Sequence, residues 1–270
     1  MQYDPIKRSL GSFFNASPSL RKLFYSLLNV LLLRTWHVKR AFKQWAKDKK
    51  SASILDAGMG FGQYAYFMAK RNASFTIKGV DVKKEQVTDC NRFFEKIKQK
   101  NASFAVADLT QLTEKESYDF ILSVDVMEHI EEDVLVFKNF YASMKKGAML
   151  LISTPSDQGG SDVHDHDHHE GASFIDEHVR DGYGISEIKN KLKEAGFSKS
   201  EAHYSYGWPG KISWKISMKY PILLLNVSKI FFVILPFYYL ITFPFALILN
   251  YLDIKLKHKT GTGLIVKAWK

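Results

Sequence analysis

Between residues 53 and 154, short apolar runs alternate with longer stretches whose apolar residues recur at helical spacing. This alternation favours a parallel β-sheet covered by helices, because parallel neighbouring strands need a long crossover connection. We predict strands at residues 53–56, 75–81, 104–108, 118–124 and 148–153, and helices at 64–71, 84–100, near 111 and at 132–144. The sequence therefore predicts an α/β domain built on one parallel sheet.

Aspartate ends three of the predicted strands, at Asp56, Asp81 and Asp108. Ligands of open parallel sheets bind beyond the carboxyl ends of the strands, so we expect these acids to line one crevice. Each of them also has a simpler interpretation as a helix cap or a turn residue.

A glycine-rich turn containing Gly58 and Gly60 follows the first predicted strand and lets the backbone approach a ligand closely. A dinucleotide-binding turn would have a third glycine where this chain has Gln63, and Asp56 would repel a pyrophosphate. Asp56 suits a cationic group instead, and Asp81 is placed to accept hydrogen bonds from both ribose hydroxyls. The pattern favours S-adenosylmethionine (SAM) as the ligand and disfavours a nicotinamide cofactor.

The sequence resembles the class I SAM-dependent methyltransferases over roughly residues 50–206 and again over 262–270. The motifs are Asp56-x-Gly58-x-Gly60, Asp81, Asp108-Leu109 and the block at 119–129, which includes Asp125. The resemblance implies a Rossmann-like sheet of seven strands with the last one antiparallel. It also implies that SAM is the cofactor.

By this resemblance, Asp56, Gly58 and Gly60 hold the methionine part of SAM, and Asp81 holds the ribose. Asp108 and the Leu109 amide hold the adenine. Asp125 is counted with these cofactor-binding residues. The list of expected cofactor-binding residues is therefore Asp56, Gly58, Gly60, Asp81, Asp108, Leu109 and Asp125.

Catalysis by a SAM enzyme mainly requires that the acceptor be aligned with the methyl carbon and that water be excluded, because SAM carries its own leaving group. A weakly acidic acceptor also needs a base. We predict His129 and His178 as the catalytic residues, since imidazole titrates near neutral pH. Arg180 is a further candidate to face the acceptor, and His129 is equally compatible with helix packing.

Two segments leave a metal interpretation open. Asp125-x-x-Glu128-His129 resembles the Glu-x-x-Glu-His motif that quinone-biosynthesis O-methyltransferases associate with a divalent metal, although a first-turn acid also suits the helix dipole. The His-rich tract 164–170 fits metal binding, acceptor binding or a solvated loop, and has no defined ligand spacing. No residue is assigned as a metal ligand.

The net charge of +10 is unevenly distributed along the chain. Residues 1–50 carry 11 Lys and Arg against two Asp, a charge of +9, and residues 211–270 carry 9 against one Asp, a charge of +8. The centre therefore carries −7. Basic ends suit an anionic surface. We expect a membrane and no nucleic acid, because the Asn/Asp-Pro-Pro-aromatic motif of nucleic-acid amine methylases is absent from the sequence and Cys90 lacks the setting of a nucleophile.

About fifty residues separate the sixth predicted strand, 202–206, from the seventh, 263–269. Among them, residues 230–251 carry no charge and are long enough to span about 30 Å of hydrocarbon. A single crossing is excluded because the seventh strand must return to the sheet, and Pro236 and Pro244 are expected to break a helix. We predict a re-entrant or in-plane hairpin at a membrane, with a buried dimer interface as the alternative.

In the N-terminal segment, leucines at helical spacing among basic residues predict an interfacial helix over residues 20–31, or else a helical lid packed on the core. We therefore divide the chain into a basic helical segment (1–50), a SAM-binding core (51–210), an apolar insertion (211–258) and a final core strand (259–270).

The sequence predicts a methyltransferase that transfers a methyl group to an oxygen of a lipophilic or lipid-linked acceptor. A single cysteine and an N-terminus without a signal-peptide pattern predict a cytoplasmic protein, peripheral or monotopic on the inner face of the membrane. The alternatives are a non-catalytic membrane adaptor with a SAM fold and a methyltransferase for a soluble small molecule.

Overall fold

The computed structural model describes residues 17–159, 179–228 and 231–270. The strands within these ranges are β1 (Ala52–Ala57), β2 (Phe75–Asp81), β3 (Ala102–Val106), β4 (Tyr118–Val124), β5 (Met144–Pro155), β6 (Lys199–Ser205) and β7 (Gly263–Trp269). The helices are α1 (Pro18–Leu31), α2 (Leu33–Trp45), α3 (Gln63–Arg71), α4 (Lys84–Lys96), α5 (Asp133–Ser143), α6 (Ile185–Glu194), α7 (Trp208–Trp214), α8 (Tyr220–Val227) and α9 (Phe231–Lys255). Short 3₁₀ helices cover Leu109–Gln111 and Met127–His129, and a π-helical segment covers Lys215–Lys219.

The seven strands form one sheet in the order β3-β2-β1-β4-β5-β7-β6. β7 runs antiparallel to both of its neighbours, whereas the other strand pairs are parallel. The predicted fold is therefore confirmed, including the insertion between the sixth and seventh strands.

Helices cover both faces of the sheet, which explains why the central strands are apolar along their length. On one face, Phe42 from α2 packs on Phe75 and Phe120 of the sheet. On the other face, Phe137 and Phe140 from α5 lie in a second apolar cluster. This sandwich fixes the carboxyl ends of β1, β2 and β4 at one edge of the domain.

Some predicted boundaries were wrong. β3 ends at Val106, two residues before Asp108. Helix α4 ends at Lys96 and does not reach residue 100, because Lys98 adopts a positive φ of 55° and the amide of Gln99 donates back to Phe94 O. β5 begins at Met144, and Gly147 lies in an irregularity of this strand, where its φ is 77°.

The insertion between β6 and β7 is a helical hairpin. Its first arm is α7, the π-helical segment and α8, and its second arm is α9. The arms run side by side, since the Ser213 hydroxyl donates to Ala246 O at 3.2 Å and the Tyr238 hydroxyl donates to Ile216 O at 2.6 Å. We call residues 208–255 the helical hairpin.

The expectation that the prolines break a helix was wrong, because α9 continues through both Pro236 and Pro244. Both prolines are exposed, so their rings do not press on the first arm of the hairpin. Long apolar helices tolerate proline where neighbouring groups satisfy the freed carbonyls. In the described part of the chain, Val233–Lys255 is the stretch with the length and apolarity of a membrane-spanning helix, and 11% of its most apolar window is buried.

Helix α1 packs on the core, as expected of a lid, through the buried side chains of Arg21 and Tyr25. Leu23 and Leu27 remain exposed on its other side, so α1 also presents an apolar face to the surroundings. The division of the chain into four functional segments stays a prediction.

Candidate cofactor and acceptor site

The glycine turn between β1 and α3 has a backbone that side chains rarely adopt. Gly58, Gly60 and Gly62 have φ values of 74°, 52° and 73°. A Cβ at Gly58 would collide with the side chain of Val126, so this position requires glycine for space as well as for φ. The Gly58 and Met59 amides donate to Val80 O at 2.9 and 3.0 Å, which fixes the turn against β2.

Asp56 lies at the base of this turn and is 2% exposed. Its Oδ2 is buried without a hydrogen-bond partner. Burial, with a contribution from the neighbouring Asp81, raises the pKa of Asp56 to about 7. A buried carboxylate oxygen without a partner is unfavourable unless a cation or a donor compensates it. The carboxylate therefore fits the ammonium group of SAM.

Other buried polar atoms nearby also have no partner. Gln63 Oε1 belongs to the first residue of α3, and Ser123 Oγ lies near the end of β4, where Ser123 pairs with Ala57 in the sheet. Buried polar groups in folded proteins are nearly always hydrogen-bonded. This concentration of unsatisfied atoms around the glycine turn is what a site for a polar cofactor requires.

Asp81 ends β2, and its carboxylate accepts hydrogen bonds from the amides of Gly60 and Lys83 at 3.0 and 2.9 Å. Asp81 thus holds the glycine turn in place. A carboxylate oxygen can accept more than one hydrogen bond, so both oxygens retain capacity for ribose hydroxyls.

Asp108 and Leu109 lie further along the same edge. The exposed Asp108 caps the 3₁₀ helix that follows it, accepting from the amide and the hydroxyl of Thr110 at 2.9 and 2.8 Å. Leu109 is buried, with 5% of its surface exposed. The capping role is thus present, and the adenine-binding role of both residues stays a prediction.

Asp125 follows β4 with a φ of 51°, which aspartate tolerates better than most residues. Its amide donates to Ser153 O at 2.8 Å, and its carboxylate forms an ion pair with Arg34 of α2. The Arg34 amide donates to the hydroxyl of Tyr206, which follows β6, at 3.0 Å. We call Arg34, Asp125 and Tyr206 the rim cluster, because they join α2, β4 and β6 at the edge of the crevice. The sequence analysis missed Arg34 and Tyr206 as site residues.

Of the two predicted catalytic histidines, His129 lies within the described residues. His129 is exposed at the end of the 3₁₀ helix Met127–His129. His178 and the tract 164–170 lie outside the described residues. The catalytic roles of both histidines stay predictions.

Glu128, next to His129, is the buried carboxyl group of this segment, with 1% exposure. Burial and the nearby Asp125 raise the pKa of Glu128 to about 8, and its carboxyl accepts from the Thr154 hydroxyl at 3.0 Å. Its backbone oxygen accepts from the Val179 amide at 3.1 Å. Glu128 therefore holds the start of the segment after residue 178 against β5.

The Arg180 side chain is held by contacts within the protein. It forms an ion pair with Asp133, and it donates to the Tyr183 hydroxyl and to Ile130 O, both at 2.9 Å. Among the described residues, no group of three or more His, Cys, Asp and Glu side chains could hold a metal ion.

The family model described as a methyltransferase domain matches residues 48–200, more than half of the chain. (S)-coclaurine N-methyltransferase of Papaver somniferum is 26% identical over 147 residues, which are 54% of this chain and 39% of that protein. The ubiquinone biosynthesis O-methyltransferase of Pelagibacter ubique (strain HTCC1062) is 27% identical over 137 residues, which are 48% of this chain and 56% of that protein. The chain thus covers less than two thirds of the length of either relative.

Among solved structures, phosphoethanolamine N-methyltransferase 2 of Haemonchus contortus in complex with SAM superposes with a TM-score of 0.60 at 21% identity. The superposition covers 87% of this chain and 52% of that one and shows that the two share a fold. Together with the glycine turn and the buried Asp56, the family match leads to one conclusion. The chain belongs to the class I SAM-dependent methyltransferases.

Proposed function

We propose that the enzyme transfers the methyl group of SAM to an oxygen atom of a lipophilic or lipid-linked small molecule, working in the cytoplasm at the inner face of the membrane. The observation that carries this proposal is the exposed apolar face of the helical hairpin, which leaves the sheet beside the crevice.

The apolar stripe is a row of exposed side chains along one face of α9. Its members are Val233, Phe237, Leu240, Ile241, Phe245, Ile248 and Tyr251. They follow one another at intervals that bring them to the same side of a helix, and Leu240 is 76% exposed. A continuous exposed apolar surface of this kind is typical of a membrane or protein contact.

The charges on the first arm support a hairpin that enters one leaflet only. Lys219 is followed by the eight residues of α8, which rise about 12 Å. That length is less than half of the roughly 30 Å of bilayer hydrocarbon. Lys211 and Lys215 lie still further from the tip. The uncharged end of the first arm is thus too short to cross a bilayer, and the second arm is packed against this arm.

A chain of contacts links the hairpin to the crevice. Asp253 in the last turns of α9 accepts from the Tyr206 amide at 3.2 Å, and Tyr206 belongs to the rim cluster with Arg34 and Asp125. An acceptor that leaves the bilayer along α9 would therefore meet the rim of the SAM site. We propose that the Arg34 guanidinium orients polar groups of that acceptor.

Bound SAM supplies an electrophilic methyl group together with its leaving group. In the proposed complex Asp56 pairs with the ammonium of SAM, Asp81 accepts from the ribose, and Asp108 and Leu109 hold the adenine. Arg21 and Tyr25 both donate to Phe61 O, so α1 covers the glycine turn and limits access of water. His129 and His178 are the proposed bases that take the proton from the acceptor oxygen. The oxygen acceptor is supported by the likeness to a ubiquinone biosynthesis O-methyltransferase.

The proposal is tested by incubating the enzyme with methyl-labelled SAM and either the lipid phase or the aqueous phase of a cell extract. We expect label in the lipid phase. Leu240→Glu should reduce transfer to a vesicle-embedded acceptor by tenfold or more, because an acidic side chain in hydrocarbon costs about 2 to 3 kcal/mol.

Leu135→Glu is the matched control, since Leu135 is also an exposed leucine on a helix, at 40%. This variant should transfer label as the wild type does, and both variants should bind SAM normally. Label confined to the aqueous phase, or equal loss in the two variants, would contradict the proposal.

A further inference from the structure

A basic groove lies outside the SAM site, where α1, α2 and the end of α9 meet. Its volume is about 490 Å³. The groove residues are Asn29, Trp36, Lys39, Arg40, Lys43, Gln44, Lys47 and Ile254. Four of the eight are cationic, and among these residues there is no acid. The mechanism proposed above uses none of them.

Three of the four cations of the groove come from one side of α2. Lys43 lies four residues after Lys39 and three after Arg40, so these side chains are neighbours on the helix surface, and Lys47 lies in the turn that follows the helix. Within the described residues, neither Lys43 nor Lys47 takes part in an ion pair, and both are exposed. Burial and the proximity of Lys43 lower the pKa of Lys39 to about 8. The positive charge is thus crowded, and among the described residues no ion pair offsets that of Lys43 and Lys47.

The groove is built into the base of the helical hairpin. The Arg40 guanidinium donates to Ile254 O, so it joins α2 to the last turn of α9. Ile254 therefore forms one wall of the groove and belongs to the same helix as the apolar stripe. Lys255 and Lys257, also exposed, follow directly and extend the cationic surface.

We propose that this groove binds the phosphate headgroup of an anionic phospholipid while the apolar stripe lies among the acyl chains. A cationic cavity continuous with an exposed apolar helix matches a ligand that carries a phosphate and hydrocarbon in one molecule. A nucleic acid would use the cations and leave the stripe in water. Trp36 has the amphipathic ring that is enriched at the headgroup level of membranes.

The inference rests on the proposed membrane function and adds to it a lipid class and a headgroup site. It predicts that binding has two separable parts. The stripe should give weak binding to neutral vesicles, and the groove should give an additional increment with anionic vesicles that salt removes, because the Debye length falls to about 3 Å at 1 M salt.

The experiment measures partitioning of the full chain onto phosphatidylcholine vesicles with and without phosphatidylglycerol. We expect Lys43→Gln/Lys47→Gln to lose the anionic increment, with binding to anionic vesicles weakened by about 25-fold, since each surface lysine contributes about 1 kcal/mol. Arg40 is left unchanged because it also holds α9. Lys146→Gln/Lys193→Gln removes the same charge from exposed positions outside the groove and should lose less than threefold.

The outcomes separate the two proposals. If the double variant keeps the anionic increment, or if both double variants lose it equally, the groove proposal is wrong while membrane binding stands. In a competition experiment, an oligonucleotide and added phosphatidylglycerol vesicles each displace the protein from anionic vesicles. If the oligonucleotide does so at the lower phosphate concentration, the groove selects nucleic acid and the proposal is overturned. If binding requires anionic lipid and the groove lysines but does not change in Leu240→Glu, the headgroup site stands and the apolar stripe fails.

Discussion

At the scale of the residue, Asp56 combines burial, an unpartnered oxygen and a pKa raised to about 7 by that burial. The ordinary pKa of aspartate is about 4. Because the folded-state pKa is raised, the folded protein holds a proton that the unfolded chain releases. The free energy of unfolding of the protein without SAM therefore falls as the pH rises from about 4 to about 7. A cation that compensates the carboxylate offsets this loss.

SAM affinity should increase by about tenfold from pH 6 to pH 8. The reason is that the ammonium of SAM binds the ionised form of Asp56, and below pH 7 the Asp56 carboxyl must first lose its proton. Asp56→Asn should bind SAM weakly with a flat pH profile, and without SAM it should be more stable than the wild type at pH 8. Calorimetric titration and urea unfolding measure the two effects.

Asp108→Asn is the comparison, since Asp108 is an exposed carboxylate on the same edge of the sheet. It should retain the pH slope of the wild type, whatever its SAM affinity. A wild-type affinity that does not change between pH 6 and pH 8 would contradict the role given to Asp56.

At the level of the secondary-structure elements, one arm of the helical hairpin supplies hydrogen-bond donors that Pro221 cannot supply in the other arm. This proline lacks an amide hydrogen, so it cannot donate to Ser217 O or Ile216 O in the preceding turn. The hydroxyls of Tyr239 and Tyr238 on α9 donate to these two carbonyls, at 2.8 and 2.6 Å. The π-helical segment is thereby tied to the opposite arm.

Tyr239→Phe should weaken the pairing of the two arms by about 1 kcal/mol, because it leaves Ser217 O without its donor. The amides of residues 208–227 should exchange their hydrogens faster, to the extent that the pairing of the two arms is weakened. Tyr251→Phe, at an exposed tyrosine of the same helix, should leave exchange unchanged. Equal exchange in the two variants would mean that the Tyr239 hydroxyl has no part in holding the arms together.

At the scale of the whole molecule, Asp253 joins the hairpin to the methyltransferase core. It is fully buried, lies 2.8 Å from His37 Nε2 of α2, and accepts from the amides of Tyr206 and Gly210. His258 Nε2, on the segment before β7, is 3.2 Å from its carboxylate. One side chain thus connects α2, α7, α9 and the ends of β6 and β7.

Asp253→Ala should destabilise the protein by about 3 to 5 kcal/mol, because it leaves the Tyr206 and Gly210 amides and the His37 imidazole without their acceptor, at about 1 to 3 kcal/mol for each buried group. Limited proteolysis should then cleave residues 208–258 before the rest of the chain. Glu201→Ala, at a carboxylate exposed on β6, should change the free energy of unfolding by less than about 0.5 kcal/mol. A variant at Asp253 that unfolds in urea like the wild type would refute this role.

The sequence was sufficient for features that depend on neighbours along the chain. The bounds of β2, β4 and β7 were predicted to the residue, because apolar runs bounded by turn residues reflect strands buried on both sides. The glycine turn and Asp56 were also recognisable, because a turn that approaches a ligand needs glycine at set positions after a strand. The hairpin was expected from the requirement that β7 return to the sheet.

Contacts between residues that are distant in sequence became visible in the folded structure alone. Arg34 is separated by 91 residues from Asp125 and by 172 from Tyr206, and no local pattern indicates that they meet. Similarly, Pro236 and Pro244 have low helix propensity, yet α9 continues through them, and the hydroxyls of Tyr238 and Tyr239 hold it to the first arm. These contacts are properties of the assembled chain.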